Sequence, residues 1–334
     1  MHRLAWFFSA CFFSNVFANN VDVFGAEDKI SAAIVKEYGA EVSSFEAELF
    51  AKRLSGLSAK ESDAYQHRQI QLEAQVAKKF NFAAVKFDTV YYPDKSLYTT
   101  INVLNQVPQI SNYAAYPLKK PYDIVDRMYL FSKKAASIYA EHPEIGEHMS
   151  CKDFHCIVSE NSKIQKELDY LRTSVPHQTE FIDEVMFTDK NLARRRAAIF
   201  LLAYYPSIEG VHARLDKLLK ADDRFILHDT LRVYGELLVK YPKLKLDLSR
   251  PIVLLHHYDE AIRNKALLLI NAAAEQKQYK RFIIKQGAYE LLSLLKLKQP
   301  NNHDIAYQIL LKTTKQKYGD RDYAAWESYL RKIM

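Results

Sequence analysis

Four times between residues 177 and 334, a polar residue able to cap a helix leads into an apolar run with helical spacing. The first copy begins at Asp189 and stops at Tyr205-Pro206. The second runs from Asp223 to Lys240 and stops at Tyr241-Pro242. The third spans Asp259 to Gln276, and a worn fourth covers Asn302 to Lys317. Proline lacks the amide a continuing helix needs, so each Tyr-Pro marks a stop. Setting Arg195, Arg232 and Arg263 in register gives intervals of 37 and 31 residues. Three positions after each arginine stand Ala198, Gly235 and Ala266, small enough for close helix approach. Four further on, Leu202, Val239 and Ile270 are expected to fill the seam. Partner segments lie between, one centred on 211–221 and one from Arg250 to His256. A period of about 30 to 47 residues built of helix pairs predicts an α-solenoid over 177–334.

Composition supports the helical assignment. Only 8 glycines occur in 334 residues, which suits long helices with short loops and disfavours turn-dense β architectures. A hydrophobic fraction of 49% with 26% charged residues is that of a folded chain. The net charge of +7 comes from 47 basic residues interleaved with 40 acidic ones, without a run of five like charges. A basic nucleic-acid arm is therefore not expected. The expected fold class is all-α, a helical N-terminal region followed by the solenoid.

Residues 1–18 read as a cleavable signal peptide. His2 and Arg3 precede an apolar run too short to span a bilayer, and Val16-Phe17-Ala18 supplies the small residues of a cleavage site. Export to the periplasm or beyond follows as an expectation, with no membrane-spanning segment after cleavage and peripheral membrane association open. Cys11 after Ser9-Ala10 offers a weaker lipoprotein alternative, with Phe8 where such a box has leucine.

Residues 19–120 form the N-terminal region. A helix is expected from about Ile30 to a stop at Gly39, a second after a capping box at Ser43–Glu46, and a longer one after the box Ser58–Glu61. From 82 to 120, tyrosines crowd among prolines. Tyr91 and Tyr92 are candidate recognition residues, the alternative being packing at a joint, and short strands remain open there. A connector, 121–176, opens on a helix after Pro121 and carries Cys151 and Cys156. In an oxidising compartment two cysteines this close predict one disulfide. The rival is a metal site of His148, Cys151 and His155, whose spacing matches no zinc pattern; no metal or other cofactor is expected.

The third copy carries a resemblance. Asp259, Ile262, Arg263, Ala266 and Ile270 resemble the second helix of a HEAT repeat, and 282–295, with Gly287 at the turn, resembles the last two helices of an armadillo repeat. Tyr318-Gly319-Asp320 with Trp326, Tyr329 and Leu330 is similar to segments that close some bacterial HEAT arrays. The first copy departs in its Asp-to-Arg spacing, and His303 stands where the fourth needs arginine. The resemblance implies a right-handed superhelical stack that binds proteins or peptides, and it brings no active site. Arg194, Arg195, Arg232 and Arg263 are the candidate groove residues, with Arg194-Arg195-Arg196 read as one structural arginine and two solvated ones. His256-His257-Tyr258-Asp259-Glu260 is too cramped to converge on a metal.

The functional expectation is a non-enzymatic scaffold or adaptor with a protein partner. The chain has no nucleophile elbow, His-Glu-x-x-His, Walker loop or dinucleotide turn. The alternative is an envelope-acting hydrolase with paired carboxylates, such as Glu141 with Glu147, which leave no short signature.

Overall fold

The computed structural model describes residues 20–92, 94–107, 116–141, 152–155 and 164–334. The signal segment, Cys11, Cys151, Cys156 and His148 lie outside the described residues, as do Glu147 and the side chain of Glu141. Most of the described chain is helical, as composition predicts, with one small sheet added.

Strand β1 (Val21–Phe24) leads into α1 (Asp28–Ser55), α2 (Ala59–Phe80) and the hairpin β2 (Ala84–Tyr91) and β3 (Leu97–Leu104). The sheet order is β1-β3-β2, with β1 parallel and β2 antiparallel to β3. The all-α expectation holds broadly, and this small sheet is an addition to it. Part of the sheet falls in the tyrosine-rich stretch, where β-branched and aromatic residues alternate with polar ones, the pattern a pleated strand needs. Alternation gives the sheet two unlike faces. Val21, Val85, Phe87, Ile101 and Val103 pack with Ile34, Val42, Phe45, Leu72 and Val76 of α1 and α2 in one core. Asp22, Phe24, Asp88, Thr100 and Asn102 occupy the opposite face.

The expected break in α1 is absent. Gly39 and Ser43 are buried inside one continuous helix, so the serine caps nothing. Burial of the helix on the sheet overrides the local signals. The capping box at Ser58–Glu61 does form: the Ser58 hydroxyl accepts from the Glu61 amide, and the Glu61 carboxylate accepts from the Ser58 amide.

The second core draws on the eleven helices from α3 to α13 and on Phe24. After α3 (Ile124–Glu141) and α4 (Gln165–Ser174) come four pairs: α5 (Thr179–Thr188) with α6 (Leu192–Leu201), α7 (Ile208–Leu218) with α8 (Arg224–Lys240), α9 (Ser249–Leu254) with α10 (Glu260–Ala273), and α11 (Lys277–Leu295) with α12 (Pro300–Thr314). The second helix of each pair packs on the second helix of the next, α6 on α8, α8 on α10, α10 on α12. Helix α13 (Tyr323–Ile333) packs on α11, with Trp326 fully buried against Tyr307 and Tyr318.

Two of the second helices are capped where the sequence copies begin, at Asp223 and Asp259, each accepting from two backbone amides. In the first and fourth copies the cap lies elsewhere: Asn191, and not Asp189, accepts from two amides, and Gln299 accepts from the amide of Asn302, which lies inside its helix. Each such cap contributes about 1 kcal/mol. The second helices also share rungs: Arg196 Nε donates to Asp229 at 2.6 Å, Arg224 Nη1 meets Asp259 at 3.3 Å, and Arg263 Nε donates to Asn302 at 3.0 Å.

Two details of the repeat reading are corrected. Gly287 lies inside the single helix α11, facing Ile252, and not at a turn between two helices. Val239 is 72% exposed and does not fill the seam, whereas Leu202 and Ile270 are fully buried as expected. The caps explain the second error. Arg195 and Arg263 stand about one helical turn past Asn191 and Asp259, but Arg232 stands more than two turns past Asp223. Aligning the arginines therefore shifted the second copy out of register.

Candidate binding groove and the joint behind it

The six candidate residues go to different places. Arg194 ties α6 to the start of α3, through Asp126 and through Asp123 at 2.8 Å, and to Asp189 at 2.8 Å. Arg195 Nε donates to the Met186 carbonyl at 3.2 Å. With Arg196 on Asp229, each arginine of the triplet is committed to a neighbour. Tyr91 donates to Glu46 at 2.9 Å and stacks on Phe50. Tyr92 donates to Asn301 on α12 at 3.0 Å. Arg263 is fully buried. Of the six, Arg232 faces the larger of two cavities.

That cavity, about 1000 Å³, lies over α8 and α10, with Asp153 and Phe154 also lining it. On a helix, residues three and four apart share a face, which places Arg232, Gly235, Glu236 and Val239 on one wall and Lys265, Leu268, Ala272 and Glu275 on the other. Val239 and Leu268, the latter 41% exposed, present aliphatic surface to solvent within it. A Cβ at Gly235 would meet the Leu269 backbone at 3.7 Å, ordinary contact, so α8 and α10 do approach closely at the small residue.

Acids in the groove are matched. Glu236 accepts from Arg232 at 3.3 Å and from the His155 ring at 2.6 Å, which places the proton on Nδ1. Burial works against the Glu236 charge, but these bonds outweigh it and hold the carboxyl below its usual range. Glu275 pairs with Lys312 at 2.7 Å, and Asp153 with Arg172 at 2.7 Å. Lys240 donates to the Lys152 carbonyl. Lys265 is half-buried and, among the described residues, its ammonium has no hydrogen-bond or ion-pair partner. Burial, then the nearby Arg232, lowers its ammonium below the usual lysine range.

Behind α10, the polar face of the sheet meets the helical stack. Arg263 Nη1 donates to Asn102 on β3 at 2.8 Å and to the carbonyls of His257 and Tyr258, and its guanidinium lies 4.2 Å from the Phe24 ring. Its Nη2 is buried without a partner among the described residues. Asp88 accepts from the Glu260 amide at 2.9 Å and from Asn102 at 3.1 Å. Glu260 accepts from Gln299 and Asn302. Burial, with repulsion from Asp259, pushes the Asp88 carboxyl up to about 7. His257 accepts the Asp259 amide on Nδ1, and burial lowers its pKa to about 4. His256 stands against Phe24, so the two histidines diverge. The second cavity, about 750 Å³, opens beside this joint between β1, α1 and α11, where Lys296 pairs with Asp28 and the Lys298 amide donates to Asp22.

Among the described residues, buried and part-buried acids repel one another in two places, Glu46 with Glu73 and Asp88 with Asp259 and Glu260. Tyr91 takes up Glu46, while Lys86 and the Phe87 amide take up Glu73, and neither lines either cavity. No three His, Cys, Asp or Glu side chains among the described residues are grouped to hold a metal. No described helix is long and apolar enough to cross a membrane.

Of the residues lining the groove, sequence reasoning had singled out Arg232 and passed over Lys265 and Leu268, and it passed over Asp88 in the joint. Leu268 had a readable signal: it lies off the stripe of Ile262, Ala266 and Ile270 that buries α10. Asp88 had a weaker one, a lone acid on an alternating strand. Comparison of the chain with family models, with curated proteins and with solved structures returned no match.

Proposed function

We propose that the protein is an exported, non-enzymatic scaffold whose stacked helix pairs form a HEAT- or armadillo-like right-handed α-solenoid, and whose groove over α8 and α10 receives a segment of a partner protein. One observation carries the reading: Val239 and Leu268 expose aliphatic surface inside a lined cavity on helices whose other apolar residues are almost all buried. An aliphatic wall with charged margins is the composition of a protein-binding site. Export rests on the signal-like segment before Asn19, and the fixed pairing of the buried carboxylates favours a scaffold over the hydrolase alternative.

A photo-crosslinking amino acid at position 268 tests this in the producing cells, with position 289 on α11 as control, since Tyr289 is 65% exposed and lies outside the groove. Position 268 is expected to give a discrete protein adduct in the extracytoplasmic fraction, on a chain beginning at Asn19. Leu268→Glu in a chain carrying the crosslinker at 239 should remove it. Equal adducts from 268 and 289, or none from 268, overturn the groove reading; a cytoplasmic chain beginning at Met1 overturns export.

A further inference from the structure

We infer that the groove selects an extended acidic–aliphatic segment, setting a glutamate or aspartate side chain against Lys265 while flanking aliphatic side chains lie on Val239 and Leu268. This rests on the groove being the partner site.

The argument begins with what the groove leaves uncommitted. Its acids, Glu236, Glu275 and Asp153, each have a cation or histidine at hydrogen-bonding distance. Lys265 has no such partner among the described residues, and it is half withdrawn from water on the wall it shares with Leu268, near enough to Arg232 to be repelled by it. An ammonium partly stripped of water with no acceptor is unfavourable, and a carboxylate arriving from outside restores what hydration lost. The aliphatic surface beside it gains by being covered. A ligand satisfying both must present a carboxylate and aliphatic side chains on the same face a few ångströms apart, as residues two apart in an extended peptide do.

The same geometry argues against other anions. A nucleic-acid backbone needs a track of cations and rings to stack on. Here Glu236 and Glu275 interrupt any such track, and Phe154 is buried. A phospholipid headgroup faces the same two carboxylates.

Fluorescence anisotropy of the full mature chain with end-blocked peptides tests the inference. The probe places leucine, glutamate and leucine at alternate positions with serine between them, so that all three share one face when it is extended; its counterparts replace glutamate with glutamine or both leucines with serine. The glutamate–leucine probe is expected to bind, and Lys265→Met to weaken it about tenfold or more, while Lys265→Arg restores most of the affinity. The glutamine probe should bind the wild type weakly and be indifferent to Lys265→Met, as a coupled pair requires. Circular dichroism confirms that each variant is folded, and removing an unpaired half-buried charge is not expected to destabilise.

Equal binding of the glutamine and glutamate probes overturns the inference, as does an unchanged affinity in Lys265→Met. Preferential binding to phosphatidylglycerol vesicles overturns it in favour of lipid. Failure of every peptide, alongside a persistent adduct at position 268, sinks this inference and leaves the scaffold reading standing. Loss of both sinks the two together.

Discussion

At the scale of single residues, Arg263 and Asp88 show how a buried charge is managed where two layers meet. The guanidinium keeps its charge at any accessible pH, so its buried surroundings must supply oxygen. Asn102, Asn302 and two backbone carbonyls do so, and the Phe24 ring covers one face. Asp88 sits nearby without touching it, and burial outweighs that attraction. An aspartate whose pKa rises from 3.8 to about 7 on folding binds more protons folded than unfolded across that window. Its contribution is complete below about pH 4 and is lost as pH rises through about 7, on the order of a few kcal/mol. Asp88→Asn imitates the neutral form and keeps an oxygen for the Glu260 amide. Urea denaturation across pH 4 to 8 should show a flatter profile for the variant, with the variant at least as stable as the wild type at pH 8. A wild type clearly more stable than the variant at pH 8 would mean that Asp88 works ionised, as a counter-ion to Arg263.

At the scale of elements, the helices were legible wherever the chain supplies its own end signals. Asp223 and Asp259 cap where the sequence puts them, and the box at Ser58–Glu61 closes as read. Legibility failed where tertiary burial overrode a local signal. Gly39, Ser43 and Gly287 look like stops and caps, yet each sits inside a helix whose apolar stripe continues past it. The strands were half-legible: β2 and β3 alternate, but β1 has only four residues, too few for a period to declare itself. Alignment on arginine misplaced Val239, because arginine position follows the partner it must reach and the cap follows the backbone. Gly235 makes a clean test of the corrected register. It lies within α8, and a methyl group would find ordinary contact at 3.7 Å from the Leu269 backbone. Gly235→Ala should therefore gain about 0.5–1 kcal/mol from helix propensity without a steric penalty. A loss of stability in thermal unfolding would show α8 and α10 closer than this packing has them.

At the scale of the whole molecule, two apolar cores are joined through a polar seam. The core of α1, α2 and the sheet shares no buried residue with the larger helical core; β1 contributes Val21 to the first and Phe24 to the second. What crosses the seam is largely hydrogen-bonded: Asp88 to the Glu260 amide, Asn102 to Arg263, Tyr92 to Asn301, Asp22 to the Lys298 amide. Such a seam fixes one orientation of the sheet on the stack, because each donor fits its acceptor in one register only, whereas an apolar seam tolerates sliding. The orientation has a functional consequence under the scaffold reading. Arg263 and Lys265 are two residues apart on α10, one facing the seam and the other the groove, so the seam and the groove share a helix. Arg263→Met should strand Asn102, Asn302 and the two carbonyls without their donor and cost about 3–5 kcal/mol. Because the two cores are otherwise separate, the loss should fall on their coupling. Calorimetry of the variant is expected to split into two transitions, with hydrogen exchange rising first in β3 and α12 while α6 stays protected. A single transition at the wild-type temperature would mean that the cores cohere without Arg263, and that the seam is held by its peripheral bonds at Tyr92 and Asp22.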